Sequence, residues 1–556
     1  MKIIIKVYLL LIVLVVVSCD NYLDRAPGLT LSEEVVFTNF YNAEKFHDNI
    51  YSALTDGFTT LGSVPLACVS DEADVYNASS GFSAITIGNG SYDNIDANIS
   101  SFYTGIRKAN EFINKESVIP FPSVSKHNMM MGEVYFLRAF YFNEMVKRFG
   151  GMPIMSEANI LNPNDNLLLP RNSYKDCVNY ILEDLKKAIN LLPVTISVAE
   201  YGRPTKGAAM ALRARVLLYA ASPQWQKEMQ QDLWADAAQA ALDVINLKDS
   251  TGVKTYELYD TGKGADDYEN LFYKRRENGN REVIFYKHAS PIGFTNAQII
   301  NYAPKGGTLG GLGLVAPTQN FVDLFEMSNG KQINESGSGY DPQNPYYNRD
   351  PRFYKIVLYN GSGWQGSTIE TFFNSVKDKS GINRLDKVTY TRTGYYIRKF
   401  VPADVKYQST TTTYHNWIFF RLAEMYLNYA EALNETLSSP NSAVYDAVNI
   451  VRNRSGVVPL PGILSKDEMR KRIQNERAIE LCFEEHRWWG ARRWGKGTEW
   501  FNGSMYEMEI TKDNTGILKY AKKPFYNRIY RSYMDLYPIP LVEMKKNPLL
   551  KQNPGW

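Results

Sequence analysis

The sequence predicts a mainly α-helical protein, a tetratricopeptide-like helical-repeat scaffold with long loop-rich insertions and few short strands. Three observations predict it. Apolar residues recur at helical spacing in seven segments, the mark of helices that bury one face. Alanine and tyrosine are concentrated in those segments, and alanine lets neighbouring helices approach closely. Between them lie stretches dense in Gly, Ser, Asn and Asp, which favour turns over regular structure. The repeat is irregular, with no clean period of about 34 residues.

In chain order the first element is not a scaffold helix. Lys2 and Lys6 make a basic start, Val7 to Val17 is an unbroken apolar run of eleven residues, and Ser18 precedes Cys19. Basic, apolar, small is the pattern of a secretory signal peptide. The run is shorter than the roughly 20 residues that span a bilayer. A buried strand, or a plain secretion signal cut elsewhere, is the other reading. The small residue followed by cysteine resembles a bacterial lipoprotein signal, although Val16 stands where Leu is commoner. That resemblance implies a signal peptide over residues 1–18 and lipid, including palmitate, on Cys19. Residues 19–30 are then a tether, and several acyl chains hold a protein to a membrane where one binds only marginally.

Residues 56–98 read as loop. Residues 124–149 read as a helix through Met130, Val134, Leu137, Tyr141 and Met145, stopped by Gly150-Gly151 and Pro153. Residues 174–192 repeat the stripe with Val178, Ile181, Leu185 and Ile189. Thr205 is placed to cap a third helix after Pro204, and residues 229–247 make a fourth. Composition changes near residues 250–280, which divides the mature chain into regions 31–275 and 276–556. Residues 288–317 and 334–416 are loop-rich with short strand-like runs. Residues 418–435, 442–454 and 467–494 are strongly helical.

Composition narrows the function. Of 556 residues, 44% are apolar and 22% charged, as in ordinary folded proteins. The formal charge of +3 falls to +1 once Lys2 and Lys6 leave with the signal. With no basic block, no electrostatic footprint for nucleic acid is visible. After Cys19, the cysteines Cys68, Cys177 and Cys482 lack the spacing of a disulfide framework or zinc site; Cys177 and Cys482, in amphipathic helical segments, read as buried thiols. Neither HExxH, GxxxxGK[ST] nor GxSxG occurs, and the five histidines have no ligand spacing. GGTLGGLG (Gly306 to Gly313) has the glycine content of a phosphate loop without its Lys-Ser/Thr close, and reads as a flexible loop. No cofactor, metal or catalytic residue is expected. The 38 Tyr, 26 Phe and 9 Trp supply core, and also suit surfaces that grip flat, partly apolar ligands.

Six segments in order carry a resemblance. They are GEVYFLRAFYFNEMVKRFGGMPIM (Gly132 to Met155), GRPTKGAAMALRARVLLYA (Gly202 to Ala220), YNRDPRF (Tyr347 to Phe353), FRLAEMYLNYAEALNE (Phe420 to Glu435), NERAIELCFEEHRWWGARRW (Asn475 to Trp494) and LYPIPLVEMKKNPLLKQNPGW (Leu536 to Trp556). With the lipoprotein start, the chain resembles the SusD/RagB family over essentially its whole mature length. The resemblance implies a non-catalytic surface lipoprotein of a Bacteroidetes outer membrane. It implies a ligand-capturing lid on a SusC-like TonB-dependent transporter barrel, with oligosaccharide as ligand. A RagB-like peptide binder, a surface glycosidase, and a barrel partner that touches no ligand are the rival readings.

Most matching charges read as scaffold. Arg138 lies in an apolar helical stretch and needs a buried carboxylate. Arg421 with Glu424, and Glu476, Glu480, Glu484 and Arg487, are spaced for intrahelical pairs. Trp488, Trp489 and Trp494 read as core. Sugar binding asks for an aromatic ring to stack on C–H faces and for side chains that satisfy hydroxyls. Asp71, Asp74, Tyr76 and Asn77 in one loop, Tyr302 in NYAPKGG, and Trp364 in YNGSGWQGS are the candidates. For each aromatic, partial burial in the loop shell competes with ligand contact.

Overall fold

The structure is a computed structural model that describes residues 32–62, 64–75, 85–86, 98–156, 168–305, 309–374 and 391–556. Cys19 and the run before it lie outside the described residues. Helices α1 (Phe40–Ile50), α2 (Ile99–Asn114), α3 (Val124–Phe149), α4 (Tyr174–Leu191), α5 (Lys206–Ala221) and α6 (Trp234–Ile245) follow in order, and each packs on the next. Polar caps start several of them. The Ser123 hydroxyl accepts the Lys126 N–H (3.1 Å), Ser173 that of Asp176 (3.1 Å), and Thr205 that of Ala208 (3.4 Å). Such caps satisfy N–H groups that the first turn leaves without partners. Helix α3 ends where Gly150 takes φ 74°, a backbone region costly for residues with a Cβ.

The array does not end at α6. The chain leaves it for residues 246–416 and returns as α7 (Leu422–Thr436), which packs against both α6 and α5. Helices α8 (Ser442–Arg454) and α9 (Lys466–Glu480) then pack on α7. The loop-rich excursion is thus inserted between two helices that are spatial neighbours. The described residues are 46% helix and 11% strand. Strand β1 (Ala73–Val75) pairs with β3 (Val315–Pro317), and β2 (Val283–Lys287) with β4 (Trp417–Arg421), both antiparallel.

Three sequence expectations change. The helix expected over 418–435 begins only at Leu422, because the aromatic run WIFFR is strand β4. Aromatic and β-branched residues fit a pleated, buried surface. The helix expected over 467–494 breaks after Glu480 and resumes as α10 (His486–Arg493). At the break Phe483 and Glu485 are left-handed (φ 59° and 68°). There the Phe483 N–H donates to Glu72 (2.9 Å) and the Cys482 carbonyl accepts from Lys399 (2.8 Å), so tertiary partners replace helical ones. Within 229–247, the helix starts at Trp234.

A hairpin over β5 (Gly503–Lys512) and β6 (Leu518–Arg528) had no counterpart in the sequence reading. Its turn is DNTGI, and DSTGV at Asp249 to Val253 is built the same way. In each the Asp carboxylate accepts the N–H two residues on (2.9 and 3.0 Å), the Thr hydroxyl (2.6 Å in both) and the N–H four residues on (3.1 and 3.0 Å). Gly252 and Gly516 sit at φ 84° and 88°.

Buried charges tie the array to the excursion. Arg138 forms a two-pronged bond with Asp184 (2.7 Å for each), the carboxylate partner the sequence required. Intrahelical pairing is otherwise not what holds these groups. Arg421 bonds Glu282 (2.9 Å), Glu480 (2.7 Å) and Glu484 (2.8 Å), not Glu424, which instead takes Arg215 (2.6 Å). Glu480 also takes Arg352 and Arg454, and Arg487 takes Asp71. Three arginines hold the Glu480 carboxyl far below the usual carboxylate range against the cost of burial. The tryptophan reading holds for Trp488 and Trp489, while Trp494 is half-buried with its N–H on Glu431 (2.7 Å).

A candidate ligand-binding face

Loops of the excursion meet on one face. Ile292 and Thr413 exchange backbone hydrogen bonds (2.8 and 3.0 Å), which joins the segment after β2 to the segment before β4. The Gln365 amide donates to the Val405 carbonyl (3.2 Å), adding a third loop. The part of the glycine-rich stretch that is described is not loose. Leu312 N–H donates to Ile300 (2.7 Å), Gly313 to Ala303 (3.0 Å) and Leu314 to Asn301 (2.7 Å). The glycines permit this closeness: a Cβ on Gly311 would strike the Ala303 carbonyl, and one on Gly313 the Tyr396 ring. Where it is described, from Leu309 on, the expected flexible loop is instead a tightly bonded one because its glycines let backbone meet backbone.

Tyr407 stands on this face with 41% of its surface exposed, as does Leu312. Phe294 backs its ring edge-on at 5.6 Å, and Gly310 lies directly beneath it, since a Cβ there would collide with the ring. A ring supported from behind loses little entropy when a ligand stacks on it. Gln408, Ser409, Thr410, Thr411 and Thr412, which follow Tyr407 in the chain, are all exposed. Gln408 holds a left-handed backbone (φ 63°), and Gln365 does too (φ 50°), strain that surrounding structure must support. Nearby Arg275 lies 3.5 Å over the Tyr414 ring and donates to the Ala289 carbonyl (2.5 Å). His415 faces inward on Phe58, with ring centroids 4.4 Å apart. Burial drops its pKa to about 3, so it is neutral.

The sequence candidates fall elsewhere. Asp71 is buried and bonded to Arg487 (2.8 and 2.7 Å). Asp74 is buried on β1 facing Arg392 (3.3 Å) and Arg528 (3.9 Å). Arg528 also donates to the carbonyls of Cys68, Ser70 and Ala73, so these acids belong to a folded turn. Tyr302 is only 2% exposed and its hydroxyl donates to Phe58 (3.1 Å). Trp364 is 3% exposed beneath the Arg398 guanidinium (5.4 Å). None of these four is exposed: Asp71 and Asp74 are drawn inward by arginines, against their placing as ligand contacts, and Tyr302 and Trp364 take the burial that competed with ligand contact. Tyr76 and Asn77 lie outside the described residues, and the chain is described up to Val75, opposite Val315. Tyr407 was missed because YQSTTTTY reads as ordinary loop. Its signal was an aromatic embedded in a hydroxyl run.

A cleft of about 450 Å³ lies between α2, the segment after α3, and the C-terminal region, lined by Ile99, Tyr103, Met152 and Leu550. Its Tyr103 hydroxyl and Asn110 amide are already bonded to the Pro153 and Met155 carbonyls (3.0 and 2.9 Å).

Comparison with known proteins decides the family. The profile described as "SusD family" matches residues 281–556, and one described as "Starch-binding associating with outer membrane" matches residues 21–218. The chain belongs to the SusD family. A SusD-like protein, P2, from Formosa agariphila is 24% identical over 99% of both chains. A crystal structure of a SusD-like protein from Bacteroides fragilis superposes with a TM-score of 0.77 at 27% identity, covering 94% of this chain and 98% of that one. A SusD-like carbohydrate-binding protein from the same species gives 0.74 at 25% identity, covering 92% and 99%. A laminarin-binding SusD-like protein shares the fold, with a TM-score of 0.65 at 22% identity over 93% and 100%. Among the described residues, no helix is long and apolar enough to cross a membrane.

Proposed function

We propose that this SusD-family chain is a cell-surface glycan-binding lipoprotein. It captures oligosaccharides and delivers them, without cleaving them, to a SusC-like TonB-dependent transporter that it covers as a lid. The observation that carries the reading is Tyr407, an exposed ring held from behind by Phe294 and followed in sequence by five exposed amide and hydroxyl residues. The ring offers a stacking surface for pyranose C–H bonds, and the neutral polar groups can both donate to and accept from hydroxyls. Tyr76 and Asn77 remain proposed ligand contacts. Asp71, Asp74, Tyr302 and Trp364 act in this reading as supports of the loops. A lipid on Cys19, with residues 19–30 as tether, holds the protein at the outer membrane.

The test is affinity electrophoresis of residues 20–556 through gels containing plant, host and microbial polysaccharides. Retardation by one polymer, weakened roughly tenfold or more (about 1.4 kcal/mol) by Tyr407→Ala, is the expected result. Retardation unchanged by that substitution removes Tyr407 from the site. Release of reducing ends over time would establish a glycosidase instead, and capture of peptides alone would establish the RagB-like reading.

A further inference from the structure

Strand β6 is the outermost strand of its sheet: β5 lies on one side of it, and no described strand lies on the other. It is eleven residues long. An exposed edge of that length presents backbone N–H and C=O groups that can template pairing with another chain. The register shows which residues point outward. Ile510 stands opposite Tyr520, Met508 opposite Lys522 and Tyr506 opposite Pro524. Backbone polar groups alternate sides along an antiparallel strand, so Tyr520, Lys522 and Pro524 turn theirs the same way.

At Tyr520 that direction is already taken. The Gln343 side-chain amide donates to the Tyr520 carbonyl (3.0 Å), and its oxygen accepts the Tyr520 N–H (3.1 Å). A side-chain amide here makes both bonds that a neighbouring strand would make. Gln343 is presented by a self-bonded turn: Asp341 accepts the Gln343 N–H (2.9 Å) and the Asn344 amide (3.1 Å). Four residues beyond Tyr520, Pro524 has no N–H to offer. The outward pair at Lys522 is left between two closed positions, and its ammonium is held across the strand by Asp323 (2.6 Å).

We infer that Gln343 and Pro524 together close the edge of β6 against pairing with a second copy of this chain. Lipid-anchored copies crowded on one surface would meet edge to edge often, and a partner strand cannot make two consecutive pairs here. Neither residue belongs to the ligand-binding face, so the inference stands whether or not that face takes a glycan.

The experiment compares residues 20–556 carrying Gln343→Ala, Pro524→Thr, and both, by sedimentation velocity over a concentration series, alongside the unaltered chain. The unaltered chain is expected to stay monomeric. The double variant is expected to dimerise with a dissociation constant at least roughly tenfold below that of either single variant, the scale of one or two added backbone hydrogen bonds. Lys522→Cys locates the contact, because Cys68, Cys177 and Cys482 are buried and Cys19 is absent from this form. Disulfide trapping through Lys522→Cys is expected in the double-variant background and not in the unaltered one. A folded double variant, with an unchanged circular dichroism spectrum, that stays monomeric overturns the inference. So does trapping of equal extent in both backgrounds.

Discussion

Glu72 is buried, and its carboxylate hydrogen-bonds only neutral groups among the described residues: Ser70 (3.1 Å) and the Phe483 N–H (2.9 Å). Burial lifts its pKa from 4.5 to about 7, with the neighbouring Asp71 adding to the rise. The folded state therefore binds this proton more tightly than the unfolded chain does. Its contribution to stability is full below about pH 4.5 and is lost as pH rises towards 7. A Glu72→Gln variant keeps the shape without the charge. It should melt above the unaltered protein at about pH 8, with the gap narrowing at about pH 5; calorimetry at both values checks this, and equal gaps would refute it. Arg138 makes the opposite case, a charge that is fully paired. Asp184→Ala leaves its guanidinium buried beside a lost partner, and should cost about 3–5 kcal/mol in urea unfolding. That pair was half legible in the sequence, because a lone arginine among apolar residues announces that an acid must exist without saying where. Arg421 shows the limit. Spacing placed Glu424 one turn away, yet buried carboxylates from β2's flank and α9's end were closer in space, and no local pattern encodes them.

Helices α3 and α8 begin and end where their caps, glycines and apolar stripes place them, since those signals act within one or two turns. Strand β4 and the α9–α10 break were illegible for the converse reason. WIFFR has too few residues to separate period 2 from period 3.6, and the break is made by Glu72 and Lys399, distant in sequence. The hairpin of β5 and β6 hid behind its lysines, although DNTGI was a turn signal already present at DSTGV. In both loops the Asp carboxyl is held below the usual carboxylate range, chiefly by its hydrogen bond from the Thr hydroxyl. Asp513→Ala should speed hydrogen exchange at the Thr515 and Ile517 amides while leaving the Thr251 and Val253 amides unchanged. Exchange rising in neither loop would show that the turns close without their carboxylates.

Across the whole molecule, α6 and α7 are packed neighbours although the excursion separates them in sequence. Glu282, within the excursion, bonds both Arg421 and Arg454 (2.9 and 2.8 Å). Array and excursion therefore share one set of buried charges: without the array Glu282 loses both its arginines, and without the excursion Arg421 and Arg454 each lose one of their carboxylates. A single calorimetric unfolding peak is expected, and two resolved peaks would show that the excursion melts by itself. The candidate site was less legible than the array at this scale. Chemistry pointed to aromatics in loops, but which aromatic faces water depends on partners such as Phe58 and Arg398 that fold in from far away. The same buried charges bear on resistance to proteolysis. Arg138, Arg352, Arg421 and Arg528 are among the largest side chains sealed from solvent, and a trypsin-like protease must draw such a side chain into its own pocket before it can cut. The folded chain withholds those peptide bonds, and the first cuts should fall after surface lysines such as Lys406, which stands exposed in a loop.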